Sequence, residues 1–285
     1  MELGEISLWN SALSGLALKH SVTPVGLGAF APHLPVPANS ISPRRRRLPR
    51  ATTPVVCRLE LKSWKHSGIL PAMLLAAISD LHGHVPSPAA QSIIDKADVL
   101  CISGDVDSPS FESVEWIASL RKPVVLTPGN HDRFFSDPED ERFNWGLEPH
   151  IHVLIDKGCE IDGVRFWGTP WSPIFCDWAF MLPPDGLREK FAKIPKGIDV
   201  LISHVPPAIP RGRIGVIQGQ NTQLGSRELY EAVCRAQPRF LFCGHIHTGN
   251  HERCRIVQTE CYNVSYLNEQ YEPTYLPRLV EIEPR

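Results

Sequence analysis

Met73-Leu-Leu-Ala-Ala-Ile-Ser-Asp-Leu-His82 decides the fold. From Met73 to Ser79 every side chain is apolar or small, which predicts one buried strand. The run stops at Asp80, and His82 follows two positions later. In open α/β sheets, ligands sit outside the carboxyl ends of the strands. A buried strand ending in a carboxylate and an imidazole therefore reads as the first unit of such a sheet. The wider apolar stretch 69–78 is too short to span a bilayer and contains Pro71.

Downstream the unit recurs. Ser87 reads as an N-cap and Pro88 as a first helical position, predicting a helix over 88–97. Val99–Ser103 is the next strand and ends at Gly104-Asp105. Residues 110–120 predict a helix with Val114, Ile117 and Ala118 on one side. Val124–Thr127 predicts a third strand, running into Gly129-Asn130-His131-Asp132. The middle is more β-like, with short runs at 153–155, 160–161 and 164–167 and a hairpin signal at Asp162-Gly163. A helix is expected over 185–193. Val200–Ser203 delivers His204, a helix follows over 226–236, and Phe240–Cys243 delivers Gly244-His245-Ile246-His247. Residues 257–264 and 279–282 read as closing strands, and 205–224 as a Pro/Gly-rich loop beside the site. Strands alternating with helices predict an α/β layered fold.

Upstream the texture is different. Residues 1–72 are rich in Pro, Ser, Leu and Ala without a period, which predicts a disordered extension ahead of a domain over 73–285. Arg44–Arg47 form a basic run; a solvated tail is its plain reading, with nuclear or organellar targeting as the functional one. Met73 itself reads as a natural start, so the extension is expected to be dispensable. Net charge is -2 over 285 residues, which gives no global basic bias toward nucleic acid or an anionic membrane. Eight cysteines occur without a Cys-x-x-Cys pair, and Cys101 and Cys243 lie inside apolar runs. The expectation is a reducing, cytoplasmic setting with no disulfide framework.

Singly, each strand-end cluster is weak. Together, five strand ends each present an oxygen or imidazole donor, with Gly104, Gly129 and Gly244 permitting tight turns. Such donors suit manganese, iron or zinc and need no thiolate. They point to a two-metal centre for phosphate chemistry.

This set resembles the calcineurin-like metallophosphoesterase family over roughly 73–285. The resemblance implies a layered α/β/β/α sandwich and two divalent metal ions, with manganese or iron favoured. It implies Asp80, His82 and His247 as ligands of one metal and Asn130, His204 and His245 as ligands of the other, with Asp105 bridging. It makes His131 the catalytic histidine, with Asp132 orienting it, and a metal-bridging hydroxide the nucleophile. Gly168-Thr-Pro-Trp-Ser-Pro173, Trp178-Ala-Phe180, the run 198–207, Tyr262–Ser265 and Tyr271-Glu-Pro273 are similar to the metallophosphoesterase-domain branch. That branch includes cyclic-nucleotide phosphodiesterases. Ser108, with Asp107 before it, departs from the branch pattern.

The implied activity is hydrolysis of a small phosphodiester, with nucleotides among the candidate substrates and no membrane partner. A phosphomonoesterase or protein phosphatase, or a scaffold that keeps the fold without the chemistry, are the alternatives. A nuclease is disfavoured because the domain lacks a basic, aromatic tract. For Trp167, Trp171 and Trp178, packing is the heavier reading and an aromatic wall for a leaving group the other. Asn263-Val264-Ser265 fits a glycosylation triplet that a protein in a reducing compartment would not use.

Overall fold

A computed structural model describes residues 71–106, 112–137, 148–210, 212–216, 222–247, 251 and 253–285. The expectations for residues 1–70, for Arg44–Arg47 and for Asp107 and Ser108 lie outside the described residues.

The first sheet holds β1 (Met73–Ile78), β2 (Val99–Ile102), β3 (Val124–Leu126), β4 (Ile151–Val153) and β13 (Arg278–Ile282) in the order β13-β1-β2-β3-β4. β1 to β4 run parallel, and β13 closes the edge antiparallel to β1. The second sheet is built from β5 (Lys157–Ile161), β6 (Val164–Thr169), β9 (Val200–Ser203), β10 (Phe240–Cys243), β11 (Cys254–Ile256) and β12 (Thr259–Asn263), in the order β11-β12-β10-β9-β6-β5. Two short strands, β7 (Ser172–Pro173) and β8 (Met181–Leu182), pair by themselves.

Strand alternation sorts the side chains into layers. Leu75 and Ala77 of β1 face Phe166, Val200, Ile202 and Phe242 of the second sheet. Ala76 and Ile78 face the other way, against Ala90 and Ile94 of α1 (Pro88–Lys96) and Ile117 of α2 (Glu112–Ser119). The outer face of the second sheet, with Leu201 and Leu241, packs on Leu187 and Phe191 of α3 (Pro184–Ala192) and Leu229 and Val233 of α4 (Arg227–Ala236). The result is the α/β/β/α sandwich that the resemblance implied. Ser87 caps α1 by accepting from Ala90 N–H at 3.3 Å, and Ser226 caps α4 by accepting from Leu229 N–H at 3.1 Å.

Three strand boundaries differ from expectation. β4 is Ile151–Val153 rather than 153–155, because parallel pairing with β3 selects Ile151 to Val153 and sends Leu154 into the inter-sheet core. The strand expected over 257–264 is β12, which begins only at Thr259: Val257, at φ 53, lies in the turn that pairs β12 with β11. β5 begins at Lys157, earlier than expected, as an exposed edge strand with little apolar signal. At Asp162-Gly163 the expected hairpin is present, with φ 47 and 81.

Two features place the site. The ends of β1 and β12 meet through a Ser79–Ser265 bridge, with Tyr266 N–H donating to the Ser79 carbonyl at 2.8 Å. Asp199, fully buried just ahead of β9, accepts the Arg165 N–H at 3.0 Å and lies 2.7 Å from Arg285 Nε, so the C-terminus is tied to the strand that carries His204.

Candidate metal centre

The donors stand on loops that follow β1, β2, β3, β9 and β10. Four of them leave ordinary backbone space: Asp80 (φ 55), His82 (φ 42), Asp105 (φ 52) and His245 (φ 69) are left-handed. Such residues persist only where their surroundings over-determine them. Here the loops are lashed to one another. Asp80 N–H donates to the Gly104 carbonyl, His82 N–H to the Asp105 carbonyl and Gly244 N–H to the His204 carbonyl, each at 2.9 Å.

The glycines do less turning than expected and more yielding of space. Of Gly104, Gly129 and Gly244, only Gly104 has a positive φ, at 95. A Cβ on Gly129 would strike the Asp105 carboxylate, and one on Gly244 would strike Ser79 and the Asp80 carboxylate. The sequence reading of turns holds for one glycine, and close approach explains the other two.

The side chains converge. Donor atoms of Asp80, His82 and His247 lie within 4.8 Å of one another, as do those of His82, Asp105 and His131, and those of Asp105, His204 and His245. Asp105 Oδ2 is 3.6 Å from His82 Nε2 and 3.4 Å from His204 Nε2, so one oxygen faces a histidine from each expected shell. Asn130 Oδ1 is 2.8 Å from His204 Nε2, and His245 Nδ1 is 3.1 Å from the same nitrogen. His247 Nε2 is 3.4 Å from Asp80 Oδ1 and 3.3 Å from His82 Nε2. The structure thus brings all seven sequence-derived ligands, and His131, into one cluster.

Hydrogen bonding tests whether this set fits a cation. His204 Nδ1 lies 2.9 Å from the Ser103 carbonyl, which only an Nδ1–H can satisfy. Its Nε2 then presents a lone pair to two oxygen acceptors, Asn130 Oδ1 and Asp105 Oδ2. His247 repeats the pattern, with Nδ1 on the Asn268 carbonyl at 3.0 Å and Nε2 facing Asp80. Against the Asp105 and Asp80 carboxylates lone pairs meet lone pairs, and a proton or a metal ion reconciles them. Imidazoles that donate one ring N–H to a backbone carbonyl are the usual form of metal-ligating histidine. The donor set fits divalent ions.

Protonation agrees. Burial, above all, drives His82 down to about 3 and, with His204 beside it, His245 down to about 3, leaving both neutral as ligation requires. Burial also disfavours charge on His204, but the Asp105 carboxylate outweighs it and lifts that imidazole to about 9. For His247 burial is likewise outweighed, by Asp80, and the shift is upward. Burial would raise the two carboxyls; the neighbouring His247 for Asp80 and His204 for Asp105 instead hold each below the usual carboxylate range.

His131 occupies the open side. Its N–H donates to Asp105 Oδ1 at 2.9 Å, and its ring lies 4.3 Å from Trp178, tilted by 32°. Trp178 in turn carries the Arg133 guanidinium 5.7 Å above it, and Ala179 N–H donates to the Asn130 carbonyl at 3.1 Å. Asp132 is buried, with Oδ1 accepting Val106 N–H at 3.0 Å and Oδ2 accepting Gly129 N–H at 2.7 Å. It joins the β2 and β3 loops, and so places His131 through the backbone.

The tryptophans divide. Trp167 packs against the core beside α3 and α4, and Trp171 is held by Asp156 at 2.8 Å and by Lys190 over its ring. Trp178 alone of the three reaches the site. Asn263 is buried and bonded to the Ile246 carbonyl at 2.7 Å and to Ser265, bracing the histidine loop rather than awaiting a sugar. Sequence reasoning missed Asn268 as the partner of His247 and treated Tyr271 only as part of a similar tail. Tyr271 lies 4.8 Å from His82 and 5.3 Å from His247, ring to ring. Both are brought in by a loop after β12, with no local pattern to announce them.

Comparison with known proteins places this geometry. The chain is 29% identical over 214 residues to the human metallophosphoesterase domain-containing protein 1, covering 65% of this chain and 64% of that one. It is 38% identical over 193 residues to UPF0046 protein T07D4.2 of Caenorhabditis elegans, covering 55% and 48%. It thus spans less than two thirds of either relative. In fold it is similar to TT1561 of Thermus thermophilus, with TM-score 0.52 at 13% identity, covering 75% of this chain and 100% of that one. Residues 73–249 match the family model of calcineurin-like phosphoesterases, and the chain belongs to that family.

Proposed function

We propose that this chain hydrolyses phosphodiesters at a two-metal centre. In this reading Asp80, His82 and His247 hold one ion, Asn130, His204 and His245 the other, and Asp105 both. The observation that carries it is the single oxygen Asp105 Oδ2, faced by His82 from one side and His204 from the other. Divalent ions held there would supply Lewis acidity toward phosphoryl oxygens and toward water. The chain's own residues do the rest. His131, fixed by its N–H on Asp105 and by Trp178 against its ring, gives a proton to the departing oxygen. Asp132 holds the loop that sets His131 at that distance.

The diester preference follows the resemblance of Gly168–Pro173, Trp178–Phe180 and Tyr262–Ser265 to a branch that includes cyclic-nucleotide phosphodiesterases. The proposed setting is a reducing, cytoplasmic compartment.

The test is a manganese-supplemented panel: an aryl phosphodiester, an aryl monoester, and 2′,3′- and 3′,5′-cyclic nucleotides. Diester turnover is expected, and monoester turnover alone would overturn the choice. His131→Ala should keep its metals and lose about 10²–10⁴ in turnover. Asp105→Asn should lose both; if it keeps two metals and full rate, the centre is misassigned. A non-catalytic scaffold would purify with little metal and hydrolyse none of the panel.

A further inference from the structure

We propose that Tyr271 is the specificity residue of this site, its ring selecting phosphoesters that carry a flat aromatic group next to the phosphorus. The proposal rests on the phosphoesterase reading above and adds the class of group accepted. Tyr271 stands across His82 and His247 at interplanar angles of 68° and 69°, so it meets both imidazoles without lying flat on either. It remains 43% exposed while touching both imidazoles, so it stands at the solvent edge of the donor cluster. Among the described residues none hydrogen-bonds its hydroxyl. The ring is therefore not part of the buried core.

Its placement is enforced. Tyr271 adopts φ 60, a left-handed conformation uncommon for a bulky side chain. The Asn268 carbonyl accepts the Tyr271 N–H at 3.0 Å and also faces His247 Nδ1 at 3.0 Å. The Asn268 side chain accepts the N–H groups of Gln270 and Glu272, each at 2.9 Å. One residue thus fixes a site histidine and the aromatic ring above it in a common frame. Strain maintained at such a place points to function. A flat substituent on the phosphorus would gain a stacking partner in Tyr271, whereas a methyl substituent would gain little.

The test uses the manganese-loaded full chain with phenylphosphonate and methylphosphonate, neither of which is hydrolysed, titrated by calorimetry. The wild type should bind the phenyl compound about tenfold tighter, within the range that stacking on one aromatic ring supplies. Tyr271→Ala should bring that ratio near one with methylphosphonate binding held, and Tyr271→Phe should preserve it. A ratio that survives Tyr271→Ala overturns the proposal, as does a Tyr271→Ala variant that weakens both phosphonates equally. Binding needs no turnover. A wild type that shows the ratio but hydrolyses no ester refutes the phosphodiesterase reading and supports the aromatic preference; turnover without the ratio does the reverse.

Discussion

Removing metal from the centre leaves buried acceptors facing one another, and protons must take the place of the ions. His204 carries most of that burden. It is fully buried, its Nδ1 is committed to Ser103, and Asp105 lifts it from 6.5 to about 9 despite the cost of burial. The folded, metal-free chain therefore takes up this proton more readily than the unfolded chain. Its contribution to stability is complete below pH 6.5 and lost as pH rises through about 9. The gap, at about 1.4 kcal/mol for each tenfold change in affinity, amounts to about 3 kcal/mol. For a domain of this size that is a fall in melting temperature of about 6–12 °C.

His82 and His245 act in the opposite window. Both are held near 3, so the unfolded chain binds their protons first and stability drops as pH falls from 6.5 toward 3. The chelator-stripped protein should be most stable near pH 6.5. The assay is thermal unfolding of stripped protein between pH 6.5 and 9, with His204→Asn as control. The wild type should lose stability across that window, and the variant should lose clearly less, keeping only the slope that His247 contributes. A flat or rising wild-type profile refutes the reasoning, and so does an equal slope in His204→Asn.

Other outcomes follow from the same contacts. Manganese binding at pH 7 should release between one and two protons, from His204 and in part His247, read by calorimetry in buffers of different ionisation enthalpy. Gly244→Ala, whose new methyl group meets the Asp80 carboxylate and buried Ser79, should weaken manganese binding about 10–100-fold and also lower the melting temperature of the stripped protein. Asp199→Ala removes the acceptor shared by Arg165 and Arg285 and should cost about 2–3 kcal/mol in urea unfolding, leaving the metal stoichiometry unchanged.

The donors were legible in the sequence because each sits where an apolar run stops, and a strand end is both a composition boundary and a place in space. Asp80, Asp105, Asn130, His204 and His245 could be found without knowing how the strands pair. What the sequence concealed depends on contacts between distant loops. Asn268 looks like any loop asparagine until its carbonyl is seen on His247. Trp178 looks like Trp171 until one lies against His131 and the other under Lys190. Edge strands were blurred for a different reason: β5 is mostly exposed, so its pairing leaves little apolar pattern. The turn at Val257 hid because a β-branched residue at positive φ carries no turn signal.

Burial and residue type alone do not separate ligands from supports. Asp80, Asp105 and Asp132 are all buried aspartates beside the same cluster. The bonds they accept from the backbone distinguish them. Both oxygens of Asp132 are taken up by backbone amides of two loops. Asp105 gives Oδ1 to the His131 N–H and leaves Oδ2 facing two imidazoles. Asp80 accepts one N–H, from His245, across both oxygens and keeps Oδ1 toward His247. A carboxylate whose two oxygens are taken by amides of two different loops stiffens the site, and one with an oxygen that also faces imidazoles is available to a cation. That division makes Asp132 a positioning residue for His131 despite its place in the same short motif.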